Sequence, residues 1–180
     1  MYELNLTPED WEASALLDEI VDLLSKGTPE DFTKIQERIP SFPMGIDPFF
    51  ERAWLTHAIE ICAITAIDWI IDQRADINYR DGEGYTPLMS TIELADSESK
   101  YHILESLLQA GADPDHLGHY GTAAHLAAMR GDLQALKLLK RFGANLCLPY
   151  MDLGIYTPLD HAIRLNRTEV AEFLKSACNG

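Results

Sequence analysis

Apolar positions along this chain recur at helical spacing, with little of the strict alternation that marks strands. Trp11, Leu16, Leu17, Ile20, Val21, Leu23 and Leu24 line one face of a long amphipathic helix, and Phe32, Ile35 and Ile39 mark a second. Both open on the same tetrapeptide, TPED, at Thr7-Pro8-Glu9-Asp10 and Thr28-Pro29-Glu30-Asp31. Threonine serves as cap, proline fits the first helical position, and the acids oppose the positive end of the helix dipole. The stretch from Pro40 to Pro48, rich in proline and glycine, reads as a linker.

Beyond the linker the pattern becomes periodic. Thr86-Pro87-Leu88, Thr122-Ala123-Ala124-His125 and Thr157-Pro158-Leu159 each start a short helical segment, and a degenerate copy begins at Ala53. Leu55-Thr56-His57-Ala58-Ile59 and Leu159-Asp160-His161-Ala162-Ile163 differ at one position, which supports the register. The starts at 53, 86, 122 and 157 are separated by 33, 36 and 35 residues, a period that signals a solenoid. A second landmark follows three of them: Arg74-Ala75-Asp76-Ile77-Asn78, Gly111-Ala112-Asp113-Pro114-Asp115 and Gly143-Ala144-Asn145. A helical pair is predicted between the landmarks. In the third copy Thr122 to Met129 forms the first helix and Gly131 supplies a left-handed turn. Leu133, Leu136, Leu138 and Leu139 then mark the second helix.

This pattern resembles the ankyrin repeat, with its Thr-Pro-Leu-His start, alanine pair, glycine turn, leucine-rich helix and Gly-Ala-Asp end. The resemblance covers roughly residues 49–180 and implies an all-α solenoid. We divide the chain into an N-terminal helical cap and linker, 1–48, and four repeats at about 49–80, 81–116, 117–147 and 148–180, forming one continuous solenoid. By the resemblance, His125 satisfies backbone groups of a neighbouring loop, whereas Thr56, Met89 and Asp160 depart from that histidine. Asn166 replaces the turn glycine and tolerates its conformation. Cys62 occupies the same place in the first copy, where an irregular turn is expected.

Composition narrows the class. With 180 residues and 47% hydrophobic content the chain can bury a core. Three cysteines, Cys62, Cys147 and Cys178, are too few and too irregular for a disulfide framework, so a reducing compartment and a cytoplasmic location are expected. No leader or membrane span is evident. Net charge is −15, with 24 acidic and 7 basic residues in positions 1–120 against 5 and 7 in 121–180. Such a field repels phosphate backbones and favours a basic protein partner, or it simply maintains solubility.

Ankyrin proteins bind through loop tips, called fingers, and through their first helices. The resemblance therefore places the partner surface at Tyr79, Glu83, Tyr85, His119, Tyr120, Met129, Arg130, Tyr150, Asp152, Tyr156 and Arg164. Tyrosine is enriched at interface hot spots, although these rings could equally brace adjacent loops. The second copy carries about four extra residues around 93–100, whose acids Glu93, Asp96 and Glu98 could meet a basic partner, or could be a tolerated insertion. The last finger, 146–155, is long and apolar, fitting either an interface or a loop folded on its own repeat.

Catalytic constellations are not evident. Asp113, Asp115, His116 and His119 have close spacing for a metal, but they fall where a finger turn is expected. His57 and Cys62 do not face one another well enough for a nucleophile and base. Asp81-Gly82-Glu83-Gly84 lacks the lysine and hydroxyl of a phosphate loop. The late cluster Arg130, Lys137, Lys140, Arg141, Arg164, Arg167 and Lys175 reads as solvation of outer helices or a second, acidic contact site. The expected function is non-catalytic protein binding without cofactor, metal, nucleic acid or membrane. The sharper expectation is an inhibitor or immunity-type protein that occludes a basic enzyme such as a nuclease toxin. The alternative is a regulatory or scaffolding adaptor.

Overall fold

The structure is a computed structural model describing residues 8–46, 52–151 and 154–178, without the side chains of 8–14 and 155. Its described residues form ten helices and one two-stranded hairpin. Packing divides the chain into two compact units, 1–75 and 76–180.

In the first unit α1 (Pro8–Lys26) and α2 (Pro29–Arg38) form an antiparallel pair, followed by α3 (Trp54–Glu60) and α4 (Ile64–Asp72). Thr7 and Trp11, read from the sequence as cap and apolar-face residue, lie outside the described residues and side chains. The second TPED behaves as its chemistry requires. The Thr28 N–H and hydroxyl donate to Asp31 Oδ2 at 3.0 and 2.8 Å. The Lys34 ammonium and these Thr28 donors hold the Asp31 carboxyl well below the usual carboxylate range. Ile20, Leu24, Phe32 and Ile35 turn inward, and α1 packs on α3 while α2 packs on α4.

Over its described part, 40–46, the segment expected to be a linker gives two residues, Phe42 and Pro43, to the core, while Pro40, Met44 and Ile46 stay exposed. Phe42 is fully buried, with its ring stacked on Trp69 at 5.6 Å and edge-on to Trp54 at 5.6 Å. Phe32 meets the same Trp69 at 5.5 Å. The Phe42-Pro43 bond is cis. A chain of ring contacts linking Phe32, Trp69, Phe42 and Trp54 outweighs the local turn chemistry that suggested a connector.

The second unit holds three helical pairs: α5 (Pro87–Glu93) with α6 (Glu98–Gln109), α7 (Ala123–Arg130) with α8 (Leu133–Arg141), and α9 (Pro158–Arg164) with α10 (Thr168–Cys178). First helices stack α5 on α7 on α9, and second helices stack α6 on α8 on α10. The alanine stretch explains the close stacking: Ala123, Ala124, Ala127 and Ala128 are all buried between flanking helices. Between α8 and α9, β1 (Tyr150–Met151) pairs with β2 (Ile155–Tyr156), placing Tyr150 opposite Tyr156.

The turns within α3–α4, α7–α8 and α9–α10 share one backbone device. Gly131, Asn166 and Cys62 take φ of +79°, +55° and +53°. The residue after each donates its N–H to an alanine carbonyl: Asp132 to Ala127, Arg167 to Ala162 and Ala63 to Ala58, at 2.9, 2.8 and 2.9 Å. The irregular turn expected at Cys62 is therefore regular, since the surrounding helices force cysteine into the left-handed region at a cost of about 1–2 kcal/mol. The second landmarks repeat the device, with Arg74, Gly111 and Gly143 at φ +63°, +95° and +86°.

Cysteine pairing departs from the sequence reading. Cys147 and Cys178 form a disulfide, with Cα atoms 5.9 Å apart, while Cys62 is free. Irregular spacing along the chain misled because α10 runs antiparallel to α9, which returns its last residue to the base of the finger preceding α9.

Candidate protein-binding surface

The finger bases are tied by an aspartate and asparagine ladder. Asp76, Asp113 and Asn145 each accept, through a side-chain oxygen, the N–H two residues on, from Asn78, Asp115 and Cys147 at 3.0, 3.0 and 3.1 Å. The next rung crosses repeats: the Asp113 N–H donates to Asn78 Oδ1 and the Asn145 N–H to Asp115 Oδ1, both at 2.8 Å. Asp113 and Asp115, weighed above as metal ligands, thus serve as rungs, and His116 Nε2 lies 3.2 Å from the Gly84 carbonyl. Among the described residues no three His, Cys, Asp or Glu side chains gather where they could hold a metal ion.

Above the ladder the fingers are pinned side to side. The His119 N–H donates to the Glu83 carbonyl at 3.2 Å, and the Tyr150 hydroxyl donates to the His119 carbonyl. Tyr85 and Tyr120 meet edge to face at 5.9 Å, and His119 and Tyr120 at 4.9 Å. Burial and the nearby carboxylates push the Tyr85 phenol up to about 12. The structure therefore brings Glu83, Tyr85, His119, Tyr120 and Tyr150 into one row on consecutive fingers. Tyr120 is 48% exposed, with Leu117 and Met151 at 55% and 75%. Asp81 belongs to the turn, its Oδ1 accepting the Glu83 and Tyr85 N–H groups at 2.9 and 2.8 Å. Tyr79 is half-buried at the start of this finger. Asp152 lies outside the described residues.

Beneath the last finger the histidines are structural. His125 Nδ1 accepts the Thr122 N–H at 3.1 Å, so Nε2 carries the proton and donates to the Tyr156 carbonyl at 3.2 Å. Burial pulls the imidazole down to about 4. Asp160 does the same capping for Thr157, accepting its N–H and hydroxyl at 2.8 and 2.7 Å. That is why a departure from histidine is tolerated there. His161 is buried against Tyr156 and His125, at 5.5 and 5.8 Å, with neither ring nitrogen hydrogen-bonded. Burial, and then the Arg164 charge, lower its pKa. Arg164 lies over the Tyr156 ring at 5.2 Å.

The remaining sequence candidates fall elsewhere. Met129 and Arg130 sit at the far end of α7, about 12 Å along the helix from its finger end. There, with Glu93, Asp96 and Arg167, they line an open pocket of about 470 Å³. The acids of the longer connection have internal partners: Glu93 pairs with Arg130 at 3.3 Å and Asp96 with Lys100 at 3.0 Å. Glu98 is exposed in the first turn of α6. Arg167 donates through Nε to the Met129 carbonyl at 3.2 Å.

Sequence reasoning missed the buried centre beside this edge. Lys100 is fully buried, and its Nζ lies 2.6 Å from Asp132 Oδ2. That carboxylate also accepts from the Tyr101 hydroxyl at 3.0 Å and, as cap of α8, from the Ala135 N–H at 2.9 Å. The signal was faint: a lysine in the first turn of one outer helix and an aspartate capping the next, close to one period apart. Leu117, Ile163 and Leu165 were also missed as exposed apolar positions, whereas Met151 lies in the last finger already read as apolar.

Comparison with known proteins agrees with this architecture. A family model described as ankyrin repeats, in three copies, matches residues 92–180. An ankyrin repeat protein of Acanthamoeba polyphaga mimivirus is 32% identical over 101 residues, 54% of this chain and 60% of that protein. The chain thus spans less than two thirds of the length of this relative. Ankyrin repeats are protein-binding modules, and among the described residues no helix is long and apolar enough to cross a membrane. Through repeats that carry the family's capped starts, left-handed turns and tied fingers, residues 92–180 of the chain belong to the ankyrin repeat family.

Proposed function

We propose that the protein binds a basic protein partner on its finger face and occludes it, acting without catalysis as an inhibitor of the immunity type. The observation that carries this is the row Glu83, Tyr85, His119, Tyr120 and Tyr150, held by hydrogen bonds between fingers and bordered by exposed Leu117 and Met151. Preset aromatic side chains lose little entropy on binding. The acids among and below them, with the net charge of −15, oppose nucleic acid and steer a cationic protein. A nuclease toxin has this chemistry, because an enzyme that grips phosphates presents a basic surface.

The four-repeat division, with α3 and α4 as the first pair and α1 and α2 as cap, belongs to the same proposal. It is supported by the turn at Cys62 and by the packing of α1 on α3 and α2 on α4. A cytoplasmic site of action goes with an immunity role.

A second reading, an adaptor that positions its partner and leaves it active, is favoured by the pocket at Glu93, Met129, Arg130 and Arg167. It provides a binding edge away from the fingers. Affinity capture from source cells, followed by assay of the recovered partner, separates the two. Inhibition predicts one basic protein, released by high salt and inactive in the complex. An active bound partner that resists high salt supports the adaptor and overturns occlusion.

A further inference from the structure

The Cys147–Cys178 disulfide joins the last finger to the final turn of α10, two segments that bury few side chains. Cys147 follows buried Leu146 at the base of the last finger, and none of the described side chains between Leu146 and Pro158 is buried. In α10 the last buried side chain is Leu174, so the final turn through Cys178 contributes nothing to the core. Noncovalent ties on the finger include the Asn145–Asp115 rung, the Tyr150 hydroxyl on His119, the short β1–β2 pairing, the His125–Tyr156 hydrogen bond, and ring contacts of Tyr150 with His125 and of Tyr156 with His161 and Arg164, all of them at half-buried or exposed finger residues. Cys147 is half-buried and Cys178 exposed, so the bond is open to an external thiol.

We propose that this disulfide is a redox-controlled strap that orders the last finger. A dithiol reductant opens it in two steps. A reductant thiolate attacks Cys178 Sγ, forming a mixed disulfide and expelling the Cys147 thiolate, which takes up a proton. The second reductant thiol, as thiolate, then attacks its own half of the mixed disulfide and releases the Cys178 thiolate, which is also protonated. Two electrons pass from reductant to protein, and the reductant leaves as its own disulfide. With the strap open, residues 146–151 and 154–156 and the last turn of α10 keep only the noncovalent ties. The finger carrying Tyr150 and Met151 then samples open states, while α7 and α8, packed on both sides, do not. The consequence for partner binding rests on the proposed function above: oxidation presents the finger and reduction withdraws it.

The test is hydrogen exchange on the full chain carrying Cys62→Ser, which removes the third thiol, with and without dithiothreitol. Peptide mapping without reductant should first recover residues 147 and 178 linked. Reduction should then speed exchange in 146–151, 154–156 and 175–178 at least tenfold, leaving α7 and α8 unchanged. The Cys147→Ser/Cys178→Ser variant should exchange at the fast rate with or without reductant. If that variant does not fold, reduced protein with both cysteines supplies the same comparison. Unlinked cysteines in oxidised protein, or finger exchange equal within twofold in the two states, overturns the strap. Failure of the oxidised chain to bind any basic protein would instead remove the proposed function and leave the exchange result standing.

Discussion

Replacing Lys100 with methionine keeps most of the buried stem and deletes the charge. In the native chain Nζ is 2.6 Å from Asp132 Oδ2 and 3.0 Å from Asp96 Oδ1, with Lys100 fully buried and the Asp132 side chain 1% exposed. The Asp96 contact faces solvent, so it contributes at most about 1 kcal/mol. Asp132 is different: without Lys100 its carboxylate keeps two donors, Tyr101 and Ala135, but stays buried without a countercharge. Orphaning one partner of such a pair costs about 3–5 kcal/mol. For a chain of this size that lowers the melting temperature by roughly 10 °C. Asparagine at 132 retains an acceptor for the Ala135 N–H and carries no charge, so Lys100→Met/Asp132→Asn should recover to within about 1 kcal/mol of wild type. Urea unfolding followed by circular dichroism, with all four proteins of the cycle, measures the coupling. A loss under about 1 kcal/mol for Lys100→Met, or a double variant as unstable as the sum of the singles, would refute the reasoning.

Acid should weaken the second unit. A neutral buried His125 with a pKa of about 4, against about 6.5 unfolded, leaves protonation to the unfolded chain as pH falls. Stability is therefore full above pH 6.5 and declines by about 3 kcal/mol toward pH 4, with His161 adding in the same direction. A urea midpoint constant from pH 7 to 4.5 would contradict this. Cys62→Gly should raise stability by about 0.5–1 kcal/mol, because glycine takes φ +53° without steric cost. Gly131→Ala should lower it by about 1–2 kcal/mol, since the φ is +79° and the new Cβ would lie 2.9 Å from Arg167 Cδ. Thermal melts read both signs.

Legibility followed the period. Landmarks that repeat, such as Gly131 and Asn166 in the turns and Asp113 at the finger base, could be placed from sequence because each copy supports the others. What stayed hidden depends on contacts across the stack. Lys100 and Asp132 are ordinary helix-start residues until α6 and α8 pack side by side, and Cys178 meets Cys147 only because α10 folds back. Phe42 looked like linker because its neighbours are proline and glycine, while its ring belongs to the Trp54 and Trp69 cluster. The candidate surface was half legible: the finger positions taken from the family resemblance, Glu83, Tyr85, His119, Tyr120 and Tyr150, are those that lie in one row. Met129 and Arg130 lie at the other end of their helix, since an eight-residue helix separates its two ends however close they are in sequence.

The central claim is that the finger face binds a basic protein. Its most direct test is the dissociation constant of the captured partner for wild type and for Tyr120→Ala/Met151→Ser, at low and high salt. Both side chains are exposed, so the variant should match wild type in its circular dichroism and melting. Loss of two central anchors should weaken binding by at least thirtyfold, about 2 kcal/mol, with wild-type affinity falling steeply as salt rises. Equal affinity for the two proteins, at either salt, would contradict the account.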